Sequence, residues 1–222
     1  MTNGNKKYNW IFFDLDGTLA DSIPAMYQVY LDFLNEFNKR GTKEEFEELN
    51  GPSLPEIVSI LKIRYGLVGD EVSLVDLYKK QILDAYKNIV KPMNGAGDIL
   101  EALKNSGYKL LLVTSASQEI ANEFIRHQRW SNYFQDYVFG NEINKAKPAS
   151  EIYDCALKKA NASSDSVFIV EDSYNGVKSA KGTGAFVVGL ENNQTKEELT
   201  KAGADITISR LNEILSILEV RV

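Results

Sequence analysis

Cysteine is almost missing from this chain: Cys155 is the only one in 222 residues, which excludes an intrachain disulfide and fits a reducing compartment. Cys155 lies in a helical pattern with Ile152, Ala156 and Leu157 and reads as core. No apolar run reaches the length of a membrane span. Lys6-Lys7 followed by Tyr8 to Phe13 is too short for a signal sequence and runs into Asp14. A cytoplasmic protein with no membrane partner is the default expectation. Positive charge is also short: 25 Lys and Arg stand against 31 Asp and Glu, a net charge of -6. That balance argues against nucleic acid as a partner, because binding its backbone needs neutralising Lys and Arg, and any anionic substrate must be drawn in locally. The single histidine, His127, sits in an amphipathic helix beside Arg126 and Arg129 and reads as non-catalytic. Internal repeats and low-complexity segments are absent too, which removes a solenoid.

What is present is enough apolar residue for a sizeable core, in one large domain or two small ones. From Ser22 to about Lys91 the periodicity is helical only, over Ser22 to Arg40, Lys43 to Asn50, Leu54 to Tyr65 and Glu71 to Asn88. Pro52, Pro55, Gly66 and Gly69 punctuate these helices. From Asn94 onward short apolar strands alternate with helices. The strands are Lys109 to Thr114, Asp136 to Phe139, Ser166 to Val170, Ala185 to Gly189 and Asp205 to Ile208. Helices are expected near Gly97 to Ser106, Gln118 to Gln128, Ser150 to Ala160, Asn175 to Lys181, Lys196 to Ala202 and Leu211 to Leu218. Apolar strands separated by amphipathic helices predict an α/β fold, a doubly wound parallel sheet covered on both faces, to which the first strand at Trp10 belongs. Residues 1–20 and 92–222 then form the sheet domain. The helical block, 21–91, is an insertion after strand one, expected over the sheet's carboxyl edge.

Asp14-Leu15-Asp16-Gly17-Thr18-Leu19 follows directly on Trp10-Ile11-Phe12-Phe13, so two carboxylates stand where a buried strand ends. Carboxylates this close raise each other's pKa unless a cation lies between them, and a divalent metal is the economical explanation. Asp14 and Asp16 can share one location only if the chain turns, and Gly17 supplies the turn. A hairpin turn is excluded by what comes next: Ile23, Tyr27, Tyr30, Leu34 and Phe37 recur at helical spacing, not in strand alternation. Parallel strands end at one edge, so residues after each strand converge. That edge collects Asp14 and Asp16, Thr114-Ser115, Lys145 and Lys147-Pro148, and Glu171-Asp172. The carboxylates of Asp14 and Asp172 are hard oxygen ligands suited to Mg2+. Thr114 and Ser115 offer donors to phosphoryl oxygens, and Lys147 offers a point charge.

The order Asp-x-Asp-Gly-Thr-Leu, Thr-Ser, Lys-Pro, Glu-Asp resembles the haloacid dehalogenase superfamily, especially its phosphatases with a helical cap. The resemblance covers nearly the whole chain and rests most firmly on 13–19 and on Val170-Glu171-Asp172-Ser173-Tyr174-Asn175-Gly176-Val177. It implies a Rossmann-like core with a cap domain at 21–91. It also implies that Asp14 attacks phosphorus, that Asp16 protonates the leaving oxygen and then activates water, and that Thr114 and Lys147 hold the transferring group. Mg2+ would rest on the Asp14 carboxylate, the Asp16 backbone carbonyl and Asp172, with Glu171 supporting.

This sequence departs from the family pattern at two places. Asn144-Lys145-Ala146-Lys147-Pro148 lacks the usual Gly and offers two lysines, of which Lys147 is preferred by position and Lys145 reads as a solvated loop charge. Thr114-Ser115-Ala116-Ser117 has Ala116 where relatives commonly carry Asn. Asn94-Gly95-Ala96-Gly97 reads as a turn opening a helix, with no third glycine and no preceding strand. Phe33, Phe37, Phe46 and Tyr65 read as core of the helical block. The loop Asn50-Gly51-Pro52-Ser53-Leu54 falls where relatives place a specificity loop, which makes Gly51 and Ser53 candidate substrate contacts.

The expected activity is Mg2+-dependent hydrolysis of a small phosphorylated metabolite, a sugar phosphate or phosphoglycolate-like compound, by a monomer or homodimer. A phosphomutase of the β-phosphoglucomutase type is the alternative. It is lowered by Leu54 and Met26, which stand where such mutases carry a basic cap residue and a His. A dehalogenase would lack the second aspartate. A non-enzymatic phospho-acceptor would be shorter and lack the insertion, and an inactive binding module would have lost a motif.

Overall fold

The computed structural model describes residues 8–49 and 53–218. Contacts divide the chain into two compact units, Met1–Ala20 with Pro92–Val222 and Asp21–Lys91. In the larger unit, β1 (Trp10–Phe13), β4 (Lys109–Thr114), β5 (Phe134–Phe139), β6 (Val167–Glu171), β7 (Phe186–Leu190) and β8 (Ile206–Ile208) form one sheet in the order β5-β4-β1-β6-β7-β8. Every pairing in it is parallel. β1 is central: Phe13 pairs with Leu112 on one side and Val170 on the other, so the chain leaves β1, β4 and β6 at one level of one edge. The strand order reverses at β1, the crevice where such sheets place ligands.

The strands are apolar on both faces because helices cover both. Phe12, Leu111, Val113 and Ile169 pack with Ile152, Ala156, Val177, Ala180 and Leu199, which come from α7 (Glu151–Ala160), α8 (Tyr174–Lys181) and α9 (Lys196–Ala202). The alternate positions Ile11, Phe13, Leu110 and Leu112 are buried as well, as are Ile99, Leu100 and Leu103 of α5 (Ala96–Asn105) and Ile120, Phe124 and Ile125 of α6 (Gln118–His127). α10 (Glu213–Ile217) closes the described chain. Cys155 packs against this core half-buried, and His127 is exposed at the end of α6.

The smaller unit contains α1 (Ile23–Asn35), α2 (Lys43–Glu48), α3 (Leu54–Tyr65) and α4 (Glu71–Asn88). Its core is Val29, Tyr30, Phe33, Leu34, Val58, Leu61, Leu74 and Tyr78, with Phe33 stacked on Tyr78 at 4.5 Å between ring centroids. Phe37, Phe46 and Tyr65 line it half-buried. Glu45, the one buried charge among its described residues, is satisfied by the Tyr30 and Tyr65 hydroxyls and by Arg64 at 2.6 Å.

β1, β4, α3, α4 and α9 have the bounds expected from sequence. α1 stops at Asn35, short of the expected Arg40, because the chain turns back through Asn38 at φ 55, a left-handed conformation that Asn tolerates. A two-stranded ribbon of β2 (Ala20–Asp21) and β3 (Lys91–Pro92) carries no periodic signal at two residues per strand. β3 corrects the expectation that no strand precedes Asn94. The glycine turn there does open a helix, with Gly95 at φ 77 as the residue before α5.

Candidate active site

Beyond Phe13 the backbone wraps around one carbonyl: the N–H groups of Thr18, Leu19 and Ala20 all point to Leu15 O, at 3.2, 2.9 and 2.8 Å. Gly17 makes this possible at φ 82, and it lies so close to the Asp172 carboxylate that a Cβ would fall on it. Gly176 stands in the same relation to Glu171. Two glycines therefore admit two carboxylates into a space that any other residue would fill. The loop after β7 adds a brace, Asn192 donating its side-chain N–H to Gly17 O at 2.9 Å.

Asp14, Glu171 and Asp172 are all buried, and each offers an oxygen within 4.8 Å of the others. Lys147, its side chain 8% exposed, donates to Asp14 Oδ1 and to Glu171 Oε1, both at 2.6 Å. Tyr153, on α7, donates its hydroxyl to the same Glu171 oxygen at 2.6 Å. Asp172 accepts longer contacts, 3.4 Å each, from the Thr18 hydroxyl and the Asn193 side chain.

The electrostatics follow from burial. Desolvation, and then the charge of Glu171, drive the Asp14 carboxyl well above its usual range, and Lys147 opposes this only in part. Asp172 is pushed up to about 7, by burial first and then by Glu171. Burial works against the Lys147 charge, but Asp14 and Glu171 outweigh it and hold the ammonium above its ordinary value. Tyr153 is raised well above its ordinary value by burial and by the charges of Glu171 and Asp14, so it stays a protonated donor. Ionised together, the three buried carboxylates would exceed the one buried ammonium by two negative charges. An all-oxygen donor set with that deficit fits a hard dication such as Mg2+.

The other expected residues fall as follows. Asp16 is half-buried and its carboxylate is outside the group of three, yet its charge is near enough to raise both Asp14 and Asp172. Thr114 is fully buried at the end of β4, its hydroxyl accepting from Ala116 N at 3.0 Å, and Ser115 beside it is exposed. Lys145 is exposed, its backbone N–H bound to Glu151 at 3.1 Å. Ser53 opens α3, its hydroxyl donating to Glu56 at 2.6 Å in a capping box, and Gly51 lies outside the described residues.

Sequence reasoning passed over Tyr153, Asn192, Asn193 and Thr18. Thr18 lay inside the leading motif, and the two asparagines follow a strand at the same edge, so the convergence rule could have found them. Tyr153 carried no such signal, because at helical spacing with Ile152 and Ala156 it reads as core, which it also is. Ser117, at the start of α6, has a buried hydroxyl with no hydrogen-bond partner among the described residues.

A family model described as haloacid dehalogenase-like hydrolase matches residues 11–190. A phosphorylated carbohydrates phosphatase of Thermotoga maritima is 29% identical over 219 residues, covering 94% of this chain and 97% of that one. A 6-phosphogluconate phosphatase of Escherichia coli is 26% identical over 176 residues, 78% of each chain. A solved structure from Thermotoga maritima, provisionally named a β-phosphoglucomutase, is 27% identical with a TM-score of 0.80, covering 95% of this chain and 98% of that one.

Proposed function

The chain belongs to the haloacid dehalogenase-like hydrolases, and from that premise we propose that it is a Mg2+-dependent phosphatase of small phosphorylated carbohydrates that carries the transferred phosphoryl group on Asp14. The reading rests on one observation above all: a buried Asp14 carboxylate bound to Lys147 within a group of acids whose charge exceeds that of the lysine.

Asp14, Asp172 and the backbone carbonyl of Asp16 would hold Mg2+, with Glu171 in support. When bound, the cation would neutralise charge on the phosphoryl oxygens. An oxygen of Asp14 forms a bond to phosphorus as the bond from phosphorus to the sugar oxygen breaks. Asp16 gives that leaving oxygen its proton. The ionised Asp16 then takes a proton from water, whose oxygen bonds to phosphorus and releases Asp14, yielding orthophosphate. Lys147 and Thr114 hold the phosphoryl oxygens through both steps, with Ser115 as a further donor. Unaided phosphate monoester hydrolysis is slow enough to demand accelerations up to about 10²¹-fold, so nucleophile, acid and charge clamp must act together.

The names of the relatives support a sugar phosphate over a phosphoglycolate-like substrate. The Thermotoga structure supports a second reading, a phosphomutase, in which the phosphoryl group returns to the sugar. A panel of metabolite phosphates assayed with Mg2+ or with chelator tests both. Metal-dependent release of orthophosphate supports the phosphatase, isomerised product supports the mutase, and no metal-dependent turnover on any phosphorylated carbohydrate rejects both.

A further inference from the structure

Tyr153 touches both partners of the buried ion pair at once. Its hydroxyl donates to Glu171 Oε1 at 2.6 Å, and its ring lies under the Lys147 ammonium, 5.3 Å from Nζ to the centroid. Glu171 Oε1 thus receives two short hydrogen bonds, and Lys147 passes the second of them on to Asp14 at 2.6 Å. The other Glu171 oxygen has the Ser173 hydroxyl at 3.4 Å and the backbone of Gly176 against it, close enough to exclude a Cβ there. Among the described residues, only the contact from Tyr153 to Glu171 is both short and independent of the lysine.

We propose that Tyr153 is a positioning residue for the reaction, fixing the plane of the Glu171 carboxylate and, through it, the division of Lys147 between Glu171 and Asp14. The physical argument is one of competing acceptors. A buried ammonium moves toward the carboxylate with the fewer other donors, because that one carries more uncompensated charge. With the Tyr153 hydroxyl in place, Glu171 is partly satisfied and Lys147 stays shared with Asp14. Without it, Lys147 shifts toward Glu171, and Asp14 loses the donor that sets its orientation. The carboxylate plane of Glu171 also loses its fixed point, which loosens the mutual placement of the three acidic oxygens. Tyr153 is placed for this by sequence: it sits in the first turn of α7, six positions after Lys147, with its backbone N–H on Ser150 O at 2.9 Å and its side chain buried in the core of the sheet unit.

The inference rests on the phosphatase reading, and its test separates the two. Tyr153→Phe keeps the ring under the ammonium and removes only the hydroxyl. Binding of Mn2+, followed by electron paramagnetic resonance as a readout apart from turnover, is expected to weaken about 10-fold, the lower end of what loss of an outer hydrogen bond costs metal sites. With a phosphorylated sugar, kcat is expected to fall about 10-fold while KM changes little. In a Lys147→Ala background the same substitution is expected to cost clearly less in kcat, since the sharing of the lysine is gone and only the hold on the Glu171 plane is left to lose. Unchanged Mn2+ affinity in Tyr153→Phe overturns the inference. So does an equal loss of kcat in both backgrounds, the mark of a merely structural hydroxyl. Failure of the unmutated protein to bind Mn2+ or to release phosphate removes the phosphatase reading and this inference with it, whereas a normal unmutated protein with an indifferent Tyr153→Phe removes the inference alone.

Discussion

Replacing Gly17 by alanine separates two costs that usually arrive together. Gly17 has φ 82, and an alanine there is held in the left-handed region at a cost of about 1–2 kcal/mol. Gly95 has nearly the same φ, 77, and open space where its Cβ would be. Gly95→Ala therefore measures the backbone term alone, which for a chain of this length lowers Tm by roughly 2–8 °C. Gly17→Ala adds a methyl where the Asp172 carboxylate now stands. The carboxylate must swing away, giving up its contacts with Thr18 and Asn193 and its place beside Asp14 and Glu171. Mg2+ affinity and kcat are then expected to drop by at least the roughly 10–100-fold that outer-layer changes cost metal sites. Calorimetric melting of both variants, with Mg2+ titration and phosphate release on each, makes the comparison. Gly17→Ala as active as Gly95→Ala would refute the claim that this glycine exists to admit Asp172.

Two further outcomes follow from the buried charges and the core. The Asp172 carboxyl stands at about 7 in the folded protein against 3.8 in the free side chain, so the folded state binds more protons than the unfolded chain across that window and stability falls as pH rises through it. At 1.36 kcal/mol per unit the fall above about pH 5 is on the order of 3 kcal/mol, and Mg2+ is expected to abolish it by occupying the site. Melting at about pH 5 and about pH 8, with chelator and with Mg2+, checks the sign, and a metal-free protein that gains stability toward the higher pH contradicts it. Phe12→Ala empties a fully buried position on the central strand and is expected to cost about 3–5 kcal/mol in urea unfolding with an unchanged m-value. A loss well under about 1 kcal/mol would mean that the strand's face is not packed as described.

Much of the fold was legible because burial on both faces leaves a strong imprint. Phe12-Phe13, Leu110 to Val113 and Phe168 to Val170 are apolar runs that only a covered parallel strand needs, and their carboxyl ends name the site edge. Asp14, Glu171 and Asp172 stand at such ends, with an oxygen of each within 4.8 Å of the others, and Lys147 meets Asp14 and Glu171 at hydrogen-bonding distance. The ribbon at Ala20 and Lys91 was not legible, since two residues have no period. Neither was the end of α1, where Phe37 continues the helical spacing but Asn38 turns left-handed. Tyr153 escaped for a different reason: a tyrosine whose ring is core and whose hydroxyl reaches Glu171 shows only the ring in a hydrophobic pattern. Asn192 and Asn193 act from a loop whose path, not its composition, brings them to Gly17 and Asp172.

The central claim is that Asp14 bonds to phosphorus, and trapping the phosphorylated protein tests it most directly. During turnover of a phosphorylated sugar with Mg2+, rapid acid quenching and peptide mass spectrometry are expected to find a phosphoryl group on the peptide containing Asp14, and Asp14→Asn is expected to lose both that adduct and phosphate release. Undiminished phosphate release by Asp14→Asn would contradict the account.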